Sequence, residues 1–161
     1  MAQIFPGRYT AATDEPFVVF LIGMRVNRVF ALRRWTQVVT AMSPMLAELK
    51  RNPDLGLLHA EFFFYWRGVG LIQYWRSFEQ LRAYAHERNA AHLPAWAEFN
   101  RRIGSDGSVG IWHETYRVAP GHYEVIHANM PRFGLGRAMD HMPVTGRMDS
   151  ALKRMDRGEK G

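Results

Sequence analysis

The sequence predicts an α+β fold of the ferredoxin-like type, with the order β-α-β-β-α-β, an added C-terminal strand and assembly into a dimeric α+β barrel. Two observations predict it. Short runs rich in Val, Ile, Phe, Tyr and Trp, typical of strands, alternate with stretches whose apolar residues recur every three or four positions, as in amphipathic helices. The clearest helix start, at Ser77, comes directly after two strand-like runs that are close enough to form a hairpin.

The composition of the 161 residues is that of a globular protein, with 47% hydrophobic and 22% charged residues. We expect a single ferredoxin-like domain at residues 1–130, and at residues 131–161 an irregular tail that can pack on a partner subunit. Cysteine is absent from the sequence, which excludes disulfides, thiolate metal sites and a cysteine nucleophile. This composition suits a cytoplasmic location.

Charge and hydropathy argue against two classes of partner. The net charge is +6, but apart from a C-terminal cluster the basic residues are scattered, so we expect no nucleic-acid partner. The longest apolar run, residues 17–24, is far shorter than the roughly 20 residues of a membrane helix. We also expect no signal peptide, because no basic segment leads into an apolar one at the N-terminus.

Taken in order, an extended arm with a turn at Pro6-Gly7 leads into the first strand. The helix that follows is interrupted at Ser43-Pro44, so we expect two abutting helices or one kinked helix. Ser77 and Gln80 form a capping box at the start of the helix after the hairpin. The predicted strands are residues 17–26, 57–66, 69–75, 109–118 and 123–128, and the predicted helices are residues 27–50, 77–89 and 94–103.

One face of the predicted sheet has no helices to cover it. The large apolar side chains that we assign to this face are Phe20, Ile22, Phe62, Phe64 and Trp66. Such a patch is larger than soluble monomers usually expose. Packing of sheet on sheet around a two-fold axis would cover it, so we expect a homodimer.

Several stretches carry a family resemblance. YWRSFEQLRAYAHERNAAHLPAWAEF, residues 74–99, resembles the Trp-x-Ser, helix, His, helix segment of antibiotic-biosynthesis-monooxygenase-like dimeric α+β barrels. PGRYTA, VVFLIGMRVN, GIWHETY and NMPRFGLG are similar to a largely uncharacterised branch of these proteins that is grouped with a fumagillin-pathway monooxygenase. The resemblance covers about residues 4–136 and implies a monooxygenase-like oxidoreductase acting on a hydrophobic small molecule between sheet and helices. The alternatives are a haem-binding barrel enzyme and a non-catalytic small-ligand-binding dimer.

Two histidines are the candidate catalytic residues. His92 lies between two predicted helices, where the resemblance implies a cleft; a helix-capping histidine is the alternative. His113 lies inside an aromatic strand, where a buried, hydrogen-bonded core histidine is the alternative. Imidazole titrates near neutrality, so either histidine could act as a general base without any cofactor. In the haem alternative, His92 or His113 would ligate the iron.

Six further side chains are candidates for contact with the substrate, namely Trp75, Tyr74, Arg25, Glu61, Trp96 and Trp112. Trp75 resembles the tryptophan that family members place near the pocket, and core packing is its alternative. Glu61 stands among aromatic residues, where a buried carboxylate needs a partner, whereas on an edge strand it would simply face water. Because the sequence shows no nucleotide-binding glycine motif after a strand and no His-x-x-x-His pattern, we expect neither a nucleotide cofactor nor a metal ion.

Overall fold

The computed structural model describes residues 2–30, 44–86 and 107–156, whose strands form two antiparallel sheets. The strands are β1 (Phe5–Ala12), β2 (Phe17–Val26), β3 (Leu57–Tyr65), β4 (Gly68–Trp75), β5 (Val109–Val118), β6 (His127–Met130) and β7 (Asp140–Pro143). The helices are α1, described over residues 44–51, α2 (Phe78–His86), α3 (Leu135–Ala138) and α4 (Ala151–Met155), with 3-10 turns at Pro53–Leu55 and Gly146–Met148. Within the described ranges, no helix is long and apolar enough to cross a membrane.

The four-stranded sheet has the order β3-β4-β2-β5, with β2 and β4 in the centre. This is the strand order of the ferredoxin-like motif, so the predicted α+β fold is confirmed. β2 and β5 run over the residues predicted for them. In β2, Leu21 pairs with Ile72 of β4 on one side and with Glu114 of β5 on the other. Residues that are paired in this way lie on the same face of the sheet.

The three-stranded sheet, β6-β1-β7, joins the two ends of the chain. The predicted N-terminal arm is its central strand, and an irregularity in pairing between Phe5 and Arg8 marks the predicted turn, with Gly7 at a φ of 90°. The fifth strand was predicted at residues 123–128 but begins at His127, where pairing with β1 starts. We predicted an irregular tail from residue 131 onwards, but residues 131–156 include the strand β7. β7 pairs with β1, more than a hundred residues away in the chain, so the local sequence pattern does not reveal it.

The main core lies between the large sheet and the helices. It is built around Val18, Leu49, Trp75, Leu81 and Tyr84. Because side chains alternate along a strand, we call the side of the large sheet that carries Val18 and Trp75 the helix face and the opposite side the open face.

The assignment of the sheet faces from sequence was wrong. Phe20 and Ile22 alternate with Val18 and therefore lie on the helix face, and Phe62 and Phe64 pair with Leu71 and Val69 on the same face. The two-residue period of a strand shows which side chains share a face. It does not show which face the helices cover.

The start of α2 is capped as predicted. The Ser77 hydroxyl accepts a hydrogen bond from the backbone N–H of Gln80 at 3.1 Å. The Gln80 side chain does not complete a reciprocal cap; its amide donates to the carbonyl of Asp54 at 3.1 Å. Gln80 thus fastens α2 to the 3-10 turn before β3.

Candidate functional site

The structure distributes the predicted site residues over both faces of the large sheet. His113 and Trp75 lie on the helix face. The open face carries Tyr74, Glu61, Trp112 and Arg25. Tyr74 and Trp75 are consecutive in one strand, as are Trp112 and His113, so neither pair can point into a single pocket. His92 and Trp96 lie outside the described residues.

His113 is an exposed imidazole above an apolar floor. β5 is an edge strand, and His113 pairs with Ile22 of the central strand β2. The ring centroid of His113 lies 5.8 Å from that of Phe20, with the two planes tilted by 44°. The imidazole is therefore accessible from solvent and also borders hydrophobic side chains, the combination that a base acting on an apolar substrate requires.

Trp75 is a core residue in this structure. It is 1% exposed, and its indole ring centroid lies 5.8 Å from the ring centroid of Tyr84. Its Nε1 donates a hydrogen bond of 2.9 Å to the side-chain oxygen of Gln73, which is also buried. The geometry matches the core-packing interpretation of this tryptophan.

Glu61 lies on the open face at the centre of a polar cluster. The side chain is 14% exposed, and its Oε1 lies 2.9 Å from His59 Nε2, 3.5 Å from a guanidinium nitrogen of Arg137 and 3.4 Å from the Gly134 backbone N–H, which donates to it. His59 and Arg137 were missing from the predicted site. The spacing of His59 and Glu61 on one strand face was visible in the sequence, whereas the approach of Arg137 depends on the docking of α3.

Tyr74 borders the same cluster. The tyrosine is buried, and a Cβ built at Gly134 would lie 2.9 Å from its hydroxyl oxygen, so the glycine allows the backbone before α3 to approach. Burial, and to a lesser extent the Glu61 carboxylate, raise the pKa of the Tyr74 hydroxyl above its ordinary value. The hydroxyl therefore stays protonated at neutral pH.

Trp112 belongs to an aromatic arch over the other end of the open face. Its Nε1 donates a hydrogen bond of 2.7 Å to the Tyr65 hydroxyl, which itself donates to the Met24 carbonyl at 2.6 Å. The indole lies over Gly23 of the central strand, where a Cβ would be 2.8 Å from Nε1. The arch thus joins the two edge strands of the sheet, β5 and β3, across glycine positions.

Arg25 occupies the end of β2 on the open face. It pairs with Gly68 of β4 and with Gly110 of β5, and it is exposed. The Tyr65 ring fills the space over Gly68, so the guanidinium has room on the side of Gly110, where a built Cβ would lie 3.6 Å from its nearest atom. It is well placed for an anionic group at the rim of the open face.

The described residues also form a small, open cleft away from all of these side chains. It is lined by residues 10–14 of the N-terminal segment and by residues of the C-terminal region. The buried guanidinium of Arg154 lies there and binds the Glu124 carboxylate through Nε at 2.7 Å and the Met148 carbonyl at 2.9 Å. The polar groups of this cleft are therefore engaged in holding α4.

In the part of the chain that the structure describes, no group of three or more His, Cys, Asp or Glu side chains is arranged to hold a metal ion. The Glu61 cluster contains one carboxylate, one imidazole and one guanidinium. Such a set moves protons or binds polar groups more readily than it binds a cation, because Arg137 already supplies the positive charge.

Comparison with known proteins gives a family. The family model described as monooxygenase af470-like matches residues 17–135. A curated relative, monooxygenase af470 of Aspergillus fumigatus, is 32% identical over 174 aligned positions, which cover 92% of this chain and 59% of the relative. The chain thus spans less than two thirds of that relative's length.

The fold is shared with one solved structure, and a second one shows a weaker similarity. The structure of the aldoxime dehydratase OxdRE in complex with butyraldoxime superposes with a TM-score of 0.65 at 14% identity, covering 86% of this chain and 42% of that one. The structure of SnoaB, described as a cofactor-independent oxygenase from Streptomyces nogalater, has a TM-score of 0.45 at 13% identity, covering 63% of this chain and 92% of that one.

Proposed function

Because the chain belongs to the monooxygenase af470-like family, we propose that it is a monooxygenase-like enzyme that oxidises a hydrophobic small molecule. The family match carries this proposal, since it extends over all four strands of the large sheet, from the start of β2 to beyond the end of β5.

We place the substrate on the helix face of the large sheet, beside His113. Phe20 and Ile22 supply an apolar floor next to the imidazole, and the exposed Phe62 and Phe64 extend the apolar surface towards β3. Binding sites for small molecules are usually apolar with a few polar groups. A phenolic or polyketide-like molecule, apolar in its body with an acidic C–H or O–H, fits this arrangement.

His113 acts as the general base in the cofactor-independent version of the reaction. The imidazole takes a proton from an activated CH₂ group of the substrate, and the carbanion adds O₂ to give a peroxide, which receives that proton. The hydroperoxide then loses water to leave a carbonyl, so that R₂CH₂ and O₂ become R₂C=O and H₂O. His92, outside the described residues, is the second candidate for the same role.

Oxygen consumption tests this proposal. Wild-type protein is mixed with a panel of phenolic polyketides in air-saturated buffer, and uptake is followed with an oxygen electrode while products are identified by mass spectrometry. Uptake above the rate without protein is expected for at least one compound. His113→Gln should lower that rate by roughly 100-fold or more. The matched control is His122→Gln, an exposed histidine in the loop before β6, which should retain the wild-type rate.

Haem is the alternative cofactor, and in that case His113 is the described histidine that would ligate the iron. Haemin added to wild-type protein would then give a Soret band that His113→Gln weakens and His122→Gln leaves intact. A protein that ignores haemin and still consumes oxygen supports the cofactor-independent reaction. A protein that binds a panel compound tightly and turns none over is a ligand-binding dimer instead.

We further propose that two copies pack through their open faces as a homodimer. Val19, Leu21 and Ile72 form the apolar centre of that face and are only half-buried in a single chain. Leu21→Lys would place a charge in the interface and shift the protein to a monomer in analytical ultracentrifugation. A wild-type protein that is monomeric at high concentration contradicts the proposal.

A further inference from the structure

Two histidines, one from each edge strand of the small sheet, lie next to each other on one of its faces. His127 of β6 pairs with Tyr9 of β1, and His141 of β7 pairs with Ala11 of the same strand. Tyr9 and Ala11 share a face because they are two residues apart. The His127 and His141 ring centroids are consequently 5.5 Å apart, with the planes at 35°. His141 is also stacked on Tyr9 at 4.8 Å.

Three ring nitrogens of this pair are buried without a hydrogen-bond partner among the described residues. They are Nδ1 of His127 and both Nδ1 and Nε2 of His141. His127 as a whole is 8% exposed. A buried polar atom left unpaired destabilises the folded state, and native proteins keep few of them. Such atoms in two facing rings indicate a bound species, and one species between the rings can pair with one nitrogen of each ring.

Gly136 of α3 leaves the space in which such a species would sit. A Cβ built on it would lie 2.8 Å from His127 Cε1, 3.1 Å from His127 Nδ1 and 3.0 Å from His141 Cδ2. Any side chain at this position would therefore fill the gap between the two rings. The glycine keeps a cradle beside the two rings, bordered by Nδ1 of His127 and by the Cδ2 edge of His141.

The chemistry of the pair selects the kind of species. Burial lowers the pKa of both imidazoles, and for His141 the nearby His127 and Arg132 lower it further, so both rings present neutral lone pairs. Neutral imidazole is the commonest protein ligand of zinc, copper and nickel. Calcium and magnesium require oxygen ligands instead.

We propose that His127 and His141 bind one divalent late transition-metal ion in the cradle beside Gly136. Imidazole nitrogens lie about 2.0–2.1 Å from such an ion, which places two coordinating rings roughly 5 Å apart, close to the observed separation. Water or another non-protein group completes the coordination sphere, because the described residues offer no third ligand of the usual kind. The positive charge of Arg132 opposes the ion, so we expect coordinate bonds rather than net charge to hold it.

The ion would have a structural consequence that is independent of oxidation chemistry. It joins β6 to β7, the two strands that flank β1, and so closes the small sheet around the N-terminal strand. Metal that binds only the folded chain raises the unfolding temperature, by an amount that grows with the logarithm of the free metal concentration once the site is saturated. Removal of the ion by a chelator should reverse that shift.

The test uses the full chain, freed of metal with EDTA and then titrated with CuCl₂ and with ZnCl₂. Calorimetry is expected to give saturable binding of one ion per chain, and Zn²⁺ should raise the unfolding temperature. The electron paramagnetic resonance spectrum of the Cu²⁺ form should show hyperfine coupling to imidazole nitrogen. In NMR spectra, Cu²⁺ should broaden resonances of Tyr9, Gly136 and the two histidines before those of other residues.

Variants locate the ion. His127→Gln and His141→Gln should each weaken binding by at least about tenfold, the loss that even a change next to a metal ligand causes. Gly136→Ala should weaken it while leaving both ligands in place. His86→Gln and His122→Gln, both exposed, are the matched controls and should bind as wild type.

Three results would overturn the proposal. They are the absence of saturable binding by the folded wild-type chain, broadening that centres on residues other than this pair, and unchanged affinity in a folded His141→Gln variant. The wild-type NMR measurement needs no substitution, so a variant that fails to fold does not leave the question open.

Discussion

The placement of Trp75 in the core rather than on a pocket wall can be tested by Trp75→Phe. The indole packs within the cluster formed with Val18, Leu49, Leu81 and Tyr84, and its Nε1 donates to buried Gln73. Phenylalanine removes both the pyrrole half of the ring and the hydrogen-bond donor. We therefore expect a loss of folding free energy from two separate causes.

The magnitude follows from these two losses. Full truncation of a buried Trp to Ala costs about 3–5 kcal/mol, and Phe retains roughly two thirds of the side-chain atoms beyond Cβ, which leaves a loss of about 1–2 kcal/mol. The unpaired Gln73 oxygen adds about 1–3 kcal/mol. The sum, about 2–5 kcal/mol, is a large part of the 5–15 kcal/mol by which domains are typically stable.

Urea unfolding, followed by circular dichroism, measures this loss. Trp66→Phe is the control, because Trp66 is 82% exposed in the turn between β3 and β4 and its replacement should change stability by less than about 0.5 kcal/mol. Gln73→Leu combined with Trp75→Phe should be at least about 1 kcal/mol less destabilising than the sum of the single changes, since the double variant leaves neither partner unpaired. A Trp75→Phe protein as stable as wild type would refute the core assignment.

Two further predictions concern pH and packing. Burial, followed by the 2.8 Å hydrogen bond to Glu48, raises the pKa of the Tyr84 hydroxyl well above its ordinary value of 10.0. The unfolded chain therefore loses the Tyr84 proton at a lower pH than the folded chain does. Tyr84 stabilises the fold below pH 10.0 and loses that contribution as the pH rises further. As the pH is raised through this range, the urea midpoint of Tyr84→Phe should fall less steeply than that of the wild-type protein. Gly23→Ala should destabilise by about 1–3 kcal/mol because the new Cβ would lie 2.8 Å from Trp112, whereas Gly110→Ala, with its nearest atom at 3.6 Å, should cost less in the same urea assay.

The local signals in the sequence predicted the large sheet well. β2 and β5 are apolar runs of ten residues, long enough for their bounds to be read directly, and the Ser77 cap fixes the start of α2. These features depend on neighbours in the chain. The small sheet depends instead on distant residues, because β1 pairs with β6 and β7 across more than a hundred residues. Each of these partner strands has only four residues, too few for a local pattern to predict the pairing.

The candidate site was harder to predict for the same reason. Alternation correctly separated Trp112 from His113, yet it could not say which face the helices cover, and that choice decides which side chains share a pocket. The partners of Glu61 show the limit clearly, since Arg137 reaches it only through the docking of α3. The roles of His92 and Trp96 and a cytoplasmic location stay predictions.

The most direct test of the proposed function is the origin of the oxygen in the product. A panel compound that the wild-type protein turns over is incubated under ¹⁸O₂ in ordinary water, and the product is analysed by mass spectrometry. The proposed reaction predicts that one ¹⁸O atom enters the product and that its yield falls in His113→Gln but not in His122→Gln. A product that carries only oxygen from water, or turnover that His113→Gln leaves unchanged, would contradict a monooxygenase that uses His113 as its base.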